Sequence, residues 1–421
     1  MKGIVARWRD VLTRASGVSL REWRVLALLG TANAVNGFDL GILALALPAI
    51  QRSLAIGEAE VGTMLAIIRL GMLPALAIGV LADRYGRRRL LLATIVGFTA
   101  CTALTAIAPN AAVFVALQFV ARIFMGAEDT LGIVVVAEEL VASRRGFALG
   151  VLAALGGIGH GLAAVGYALA GAGPYGWRTL YAVGAVPLVV IAWVRRQLAE
   201  TRRFVTSQAR HAGESAGVWA PLRALVRAYP RRAFGLGLMV FSVYVVMIPA
   251  ISFQSKFLQE AHGYSAAIVA ALYFVGGLLS VATQLVVGRV SDSIGRRPAV
   301  LVMLAVMTAG TLVLYRATGP SVLAGWIVMV CAYLGLDIML SAFGSELFPT
   351  AYRSTASSAR SVTANVGATL GLALEGTFYT WTGSHGAAIS WMLPPLALVP
   401  LALLLLPETA RRELEEIAPE E

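Results

Sequence analysis

Hydrophobic and polar positions fall along this chain in long blocks. Apolar runs near 25–50, 59–82, 90–108, 112–137, 146–172 and 178–195 can each cross about 30 Å of hydrocarbon, which takes roughly 20 helical residues. Six more lie near 234–256, 264–289, 298–315, 320–344, 356–380 and 386–406. Short polar loops separate them, apart from one long polar stretch from 195 to 232. No segment alternates in the two-residue rhythm of an outer-membrane strand. The pattern predicts an all-α integral membrane protein with twelve transmembrane helices, here called spans 1 to 12.

Composition agrees with that class. With 58% hydrophobic and 14% charged residues, the chain has too little polar surface to coat a soluble globule. A net charge of +11 would suit nucleic acid, but the basic residues sit in every second loop. They are Arg7, Arg9 and Arg14, then Arg84 and Arg87 to Arg89, Arg144 and Arg145, Arg296 and Arg297, and Arg353. The stretch from 195 to 232 adds Arg195, Arg196, Arg202, Arg203, Arg210, Arg223, Arg227, Arg231 and Arg232, against only Glu200 and Glu214. The positive-inside rule then places both termini and this linker in the cytoplasm, in a multi-pass protein of the cytoplasmic (inner) membrane. The arginines serve orientation and contact with anionic lipid, so no nucleic-acid partner is expected. The apolar run after the basic residues 1–24 is too long for a signal-peptide core, so span 1 is its own insertion signal.

Cys101 and Cys331 lie in spans of opposite halves and read as packing residues. Four scattered histidines have no metal-ligand spacing, and no phosphate-cradling glycine loop of the Walker type appears. Neither a metal nor another cofactor is expected, and a monomer suffices.

An internal repeat organises the chain. Gly79-Val-Leu-Ala-Asp83-Arg-Tyr-Gly86-Arg87-Arg88 recurs as Gly288-Arg-Val-Ser-Asp292-Ser-Ile-Gly295-Arg296-Arg297, an offset of 209 (288 minus 79). Glu138, Arg145 and Gly146 recur as Glu346, Arg353 and Ser354 at an offset of 208 (346 minus 138). Both motifs fall on cytoplasmic loops, after the second and fourth span of each half, so the halves share one orientation. The expected domains are a six-helix bundle at 1–195, a basic linker at 196–232, and a second bundle at 233–421 with a short tail.

On these motifs the chain resembles the major facilitator superfamily over essentially its whole length. Within it, the chain is similar to the branch of sugar porters, aromatic-acid/proton symporters and organic-ion transporters. The matching words are Gly37-Phe38-Asp39-Leu40-Gly41, Ala199-Glu200-Thr201-Arg202-Arg203-Phe204, Glu346-Leu347-Phe348-Pro349 and Pro407-Glu408-Thr409. The resemblance implies two pseudo-symmetric bundles with a midplane site between them, working by alternating access. It also implies two cytoplasmic latches, Asp83, Arg87, Glu138 and Arg145 in one half and Asp292, Arg296, Glu346 and Arg353 in the other. As solvated surface pairs these would each contribute only about 0–1 kcal/mol. The glutamine-rich sugar word of span 7 is absent from Phe241 to Pro249, which favours an organic anion over a sugar or polyol.

Charges inside the membrane cost several kcal/mol unless paired or hydrated, and they mark function. Asp39, Arg69, Arg122, Glu128, Asp129, Asp337 and Glu375 qualify. Asp39 and Arg69 reach similar depths and can pair. Arg122 stands on one face of span 4 with Gly126 and Asp129, although sugar-porter spacing counted back from Glu138 lands on Gln118 instead. Asp129 plus 208 gives Asp337, so the repeat sets two acids at equivalent depths. Asp39 and Arg122 are assigned to proton coupling. Asn33, Asn36, Arg69, His160, Tyr244 and Gln254 are assigned to solute binding. Asp129 and Asp337, nearer the cytoplasmic ends, suit gating or structure. Glu128 points about 100° away from Asp129 and reads as water-facing, and Glu375, near an outer end, reads as having no transport role. Glycines such as Gly156, Gly157, Gly159 and Gly161 read as close helix packing.

The expected function is proton-driven symport of a small organic solute, with a carboxylate favoured on account of Arg69. Export of amphipathic compounds by a proton antiporter is the alternative. A receptor is disfavoured by short outer loops, and an enzyme by the lack of a clustered nucleophile and base.

Overall fold

The computed structural model describes residues 20–75, 78, 87–139, 142–170, 176–195 and 220–410. Among them the chain is helical, without strands. The helices are α1 (Leu20–Leu45), α2 (Leu47–Ser53), α3 (Glu58–Leu70), α4 (Arg87–Thr105), α5 (Ala111–Glu139), α6 (Ala142–Ala170) and α7 (Gly176–Arg195). After the linker come α8 (Ala220–Ala228), α9 (Pro230–Glu260), α10 (Ala266–Ile294), α11 (Arg296–Arg316), α12 (Ser321–Glu346) and α13 (Thr350–Thr382). Then follow α14 (His385–Trp391), a 3-10 turn (Pro394–Ala397) and α15 (Leu398–Leu404).

Seven described stretches are long and apolar enough to cross a membrane: Val25–Leu45, Ala111–Val136, Gly150–Ala170, Pro230–Glu260, Arg296–Arg316, Ser321–Glu346 and His385–Leu404. The remaining expected spans overlap α3, α4, α7, α10 and α13. Two spans read as continuous are interrupted. Span 1 breaks at Ala46 and resumes with Pro48 in the first turn of α2, where a missing N–H costs nothing. Span 12 passes through a 3-10 turn at Pro394 and Pro395, which cannot extend the preceding helix. The linker's end, α8, is amphipathic, with Leu225 buried and Arg223 and Arg227 exposed.

Contacts divide the chain into two units, Met1–Ala46 with Gly71–Glu214 and Leu47–Leu70 with Ser215–Glu421. In the first unit α1 lies along α6, and α4 packs on α5 and α7. One apolar cluster joins Leu26 and Leu29 to Leu131, Val135 and Leu152; another joins Ala32 and Val35 to Phe98, Met125 and Leu188. In the second unit α9 and α3 both pack on α13, and α11 packs on α12. Large apolar side chains face outward, Leu169 at 82% exposure and Ile107 at 72%, while Asp39 is at 1%. That inversion of the soluble pattern suits a lipid solvent.

The α1–α6 contact shows why glycines recur. A Cβ on Gly37 would sit 2.0 Å from the Gly156 carbonyl oxygen, and one on Gly159 would sit 1.8 Å from that of Ala34. Only glycine lets the backbones approach so closely. Gly37 and Gly41 thereby turn one face of α1 onto α6, and Asp39, two residues from each, points elsewhere. Gly159→Val is therefore expected to force the helices apart and cost at least about 2 kcal/mol, read as a lower melting temperature in detergent than for Gly157→Ala. Gly157 has open space around its Cβ position and serves as the control.

Candidate transport site and charged clusters

Asp39 leaves α1 toward α5, where its Oδ2 lies 3.5 Å from Arg122 Nη2 with both side chains buried. Arg122 Nη1 rests 3.1 Å from the Met125 sulfur. Gln118, the other reading of the span 4 register, donates to Thr105 Oγ1 at 3.3 Å and also interacts with Asp39, so both residues of span 4 address the acid. Arg69 closes α3 in the other unit, half-buried, close enough to Tyr333 to act on it electrostatically.

Beside this pair the first unit holds a cavity of about 340 Å³ between α1, α5 and α6, lined by Asn33, Asn36, Glu128, Asp129 and His160 among others. Asn36 Nδ2 donates to Asp129 at 3.0 Å, and Asn33 Nδ2 donates to the Leu152 carbonyl at 3.2 Å. His160 Nδ1 lies 3.4 Å from the Gly156 carbonyl. Four residues chosen from three spans, Asn33, Asn36, Asp129 and His160, thus line one pocket. Glu128 corrects its expectation: it is buried and accepts from Thr94 Oγ1 at 2.9 Å, because α4 covers the face of α5 that the helical period alone would leave to water.

The second unit repeats one of these contacts. Tyr244 in α9 donates its hydroxyl to Asp337 in α12. Tyr244 follows Asn36 by 208, as Asp337 follows Asp129, so both halves bond a donor on their first span to an acid on their fourth. The surroundings differ. Asp337 also stands 3.9 Å from Arg360 Nη1, which the sequence analysis did not select. The positions 208 beyond Asp39 and Arg122 are Met247 and Val330, so that ion pair has no counterpart. Gln254 Nε2 donates to Tyr273 at 3.0 Å and ties α9 to α10.

Of the expected latch in the first half, Asp83 lies outside the described residues, as do the side chains of Arg87, Glu138 and Arg145. Their counterparts are described. Arg296 grips Glu346 with two prongs, Nε–Oε2 at 3.1 Å and Nη2–Oε1 at 2.8 Å, and reaches Asp292 at 2.8 Å. Arg353 departs from the expected cluster: its Nε donates to the Ser345 carbonyl at 3.1 Å, holding the loop backbone. Glu408 and Thr409, noticed only as a family word, complete the cluster. Thr409 Oγ1 donates to Glu346 at 2.6 Å. Glu408 accepts from the backbone N–H groups of Arg296 at 2.7 Å and Arg297 at 3.0 Å, capping the start of α11. Gly295, at φ +104°, makes the turn, and a Cβ there would lie 2.9 Å from Glu408 Oε2. Partial burial works to raise the Glu408 carboxyl, but the N–H donors of Ala410, Arg297, Arg296 and Thr409 outweigh it and hold it below the usual range.

At the opposite end of the second unit lies a cluster that sequence reading missed. Lys256, fully buried, donates to Gln51 at 2.5 Å, lies 3.0 Å from Glu58 and also pairs with Glu260. His385 contacts Glu375 at 2.6 Å and Glu58 at 3.0 Å. Glu375, read as having no transport role, is fully buried within this network. A signal existed: Lys256 is one of only two lysines in the chain, at the end of an apolar run.

Parallel repeats, membrane-length helices and a buried Asp39–Arg122 pair near a cavity with a few polar groups define a carrier-type membrane transporter. The chain belongs to the Major Facilitator Superfamily, whose model matches residues 29–345 and 283–421. It is 26% identical to a probable 4-methylmuconolactone transporter of Cupriavidus pinatubonensis over 91% of this chain and 90% of that one. It is 24% identical to the 4-hydroxybenzoate transporter PcaK of Pseudomonas aeruginosa, over 93% and 94% respectively. Its fold matches the inward-open xylose transporter XylE from E. coli with a TM-score of 0.73 at 17% identity, covering 94% of this chain and 98% of that one. The protein is thus a multi-pass membrane transporter of small organic solutes and not an enzyme.

The Glu408 cap makes a signed prediction. Because its carboxyl is held below the ordinary range, its stabilisation is complete above the ordinary glutamate range and is lost as pH falls through the lowered value. Glu408→Gln is expected to cost about 1 kcal/mol at neutral pH. Melting curves should show the gap between the two proteins narrowing on acidification.

Proposed function

We propose that this protein is a proton-coupled symporter that imports a small organic carboxylate across the cytoplasmic membrane, with both termini in the cytoplasm. The observation that carries the reading is the buried Asp39–Arg122 pair at 3.5 Å, present in one half of the repeat and replaced by Met247 and Val330 in the other. A pair needed only for packing would not have to be ionised, since apolar residues fill the equivalent positions. An ionised pair in a low-dielectric interior can be separated cheaply only if the acid takes up a proton as the arginine withdraws. That exchange is proton coupling.

The carboxylate preference rests on the second half and on the relatives. Arg360 and Tyr244 both address Asp337 Oδ1, and a solute carboxylate oxygen would suit the same cation and donor. Transporters of 4-hydroxybenzoate and 3-(3-hydroxy-phenyl)propionate are among the relatives. In the first half Asn33, Asn36 and His160 supply neutral hydrogen-bonding groups for the rest of the solute. The cytoplasmic clusters, Asp292, Arg296 and Glu346 with the matching Asp83, Arg87, Glu138 and Arg145, act as latches that part when that side opens, and Arg353 steadies their loop.

Asp39→Asn, a mimic of the protonated acid, is expected to keep solute exchange between the two sides of a proteoliposome and to lose accumulation driven by a pH gradient. Counterflow measured beside gradient-driven uptake decides it, and accumulation by the variant would move the coupling proton elsewhere. Arg360→Gln is expected to weaken binding of benzoate-type carboxylates by about tenfold or more while sparing their amides. Arg69→Gln, run in parallel, tests the residue the sequence put first. Equal loss for acids and amides would mark a structural arginine.

A further inference from the structure

The Lys256 cluster joins helices from both halves of the repeat. Gln51 and Glu58 belong to α2 and α3 of the first half, whereas Lys256, Glu260, Glu375 and His385 belong to α9, α13 and α14 of the second. All lie at the end opposite the arginine-rich loops. Gly62 allows the approach, since a Cβ there would stand 2.4 Å from the Leu372 carbonyl oxygen and 3.1 Å from Glu375 Oε2.

The imidazole sets a proton count. His385 Nδ1 is 2.6 Å from Glu375 and Nε2 is 3.0 Å from Glu58. A neutral imidazole has one N–H and one lone pair, and an ionised carboxylate only accepts. Two such bonds therefore require one proton more than a neutral histidine and two ionised acids hold. Without it, one contact sets a ring lone pair against carboxylate oxygen inside a buried site. Glu375 has no exposure, and its Oε2 has no hydrogen-bond partner among the described residues, so water does little to relieve the conflict.

Other charged or titratable groups on the packed elements do not supply the missing proton. Lys256 is committed to Gln51, Glu58 and Glu260. Tyr379 and Phe253 lie against the ring, with centroids 4.4 Å and 4.6 Å away. On α11, Tyr315 donates to the Ala250 carbonyl and Arg316 to Ser390. His262 packs on Phe257 and Tyr264. Glu58 itself, where partial burial is outweighed by the bonds from His385 and Lys256, is held below the usual carboxylate range and stays ionised.

We propose that Glu375, His385 and Glu58 form a proton-binding site that holds this end of the transporter closed while the shared proton is bound and lets it open when the proton leaves. The site is distinct from Asp39 and responds to pH on its own side of the membrane.

Two variants separate this from a structural role because they act in opposite directions. In Glu375→Gln the amide donates to Nδ1, so both bonds form without the extra proton. In His385→Gln both N–H donors sit on one nitrogen, which cannot span the two carboxylates that the ring's separate nitrogens reach, so one bond is lost at every pH. The experiment places spin labels at Ala55→Cys, between α2 and α3, and at Thr318→Cys, between α11 and α12, in a background carrying Cys101→Ala and Cys331→Ala. Both positions are exposed and lie in the unit that holds the cluster. Inter-label distances are then measured in lipid nanodiscs, without solute, from about pH 5 to about pH 8. The parent should gain long distances as pH rises. Glu375→Gln should hold short distances throughout, and His385→Gln should favour long ones by about tenfold in population, the worth of one charged hydrogen bond. Shifts of both variants in the same direction, or a pH response that persists in Glu375→Gln, would overturn the proposal. Because no solute or pH gradient is used, its failure leaves the Asp39 reading untouched.

Discussion

An ionised side chain inside a bilayer must find its partner within the protein, and the arrangement of this chain follows from that constraint. Asp39 has Arg122 at 3.5 Å, and the packing around α1 is what brings them together. Gly37 and Gly41 spend one face of α1 on contact with α6, which leaves the face between them for α5. The word Gly-Phe-Asp-Leu-Gly is thus one device: small residues at both ends fix the helix, and the acid between them is aimed by that fixing.

The repeat shows which contacts belong to the scaffold. Asn36 to Asp129 and Tyr244 to Asp337 occur at one offset in both halves, so the bond between the first and fourth spans is common ground. What the halves do not share is charge of a particular kind. The first carries the buried Asp39–Arg122 pair and a cavity lined by amides and acids; the second carries Arg360 beside its acid.

Much of this was legible in the sequence, for reasons tied to particular residues. Span positions follow from apolar length, and the acid of span 1 from its depth. Asn36 and Asp129 could be named but not joined, because helical period gives a face without saying which neighbour covers it. Glu128 was misread on that account, since α4 lies over it. Lys256 and His385 were missed because each sits at a span end, where a charge is ordinarily wet; only tertiary packing reveals that Glu375 and Gln51 bury them. Glu408 was noticed as a word and understood only when the start of α11 was seen resting on it.

The charged contacts differ in how easily they part, and that ordering assigns them work. The exposed Asp292 adds little to Arg296, since a solvated pair is worth at most about 1 kcal/mol. The two-pronged Arg296–Glu346 grip and the Glu408 cap hold more, yet they are only partly buried, so water replaces each bond as it breaks. Such contacts can act as latches that thermal motion opens. Asp39 and Arg122 have no water to turn to, so separating them as ions would leave two bare charges in low dielectric, a cost of several kcal/mol. A proton on the carboxylate removes one of those charges. The Arg296–Glu346 grip, within reach of water, needs no proton to part.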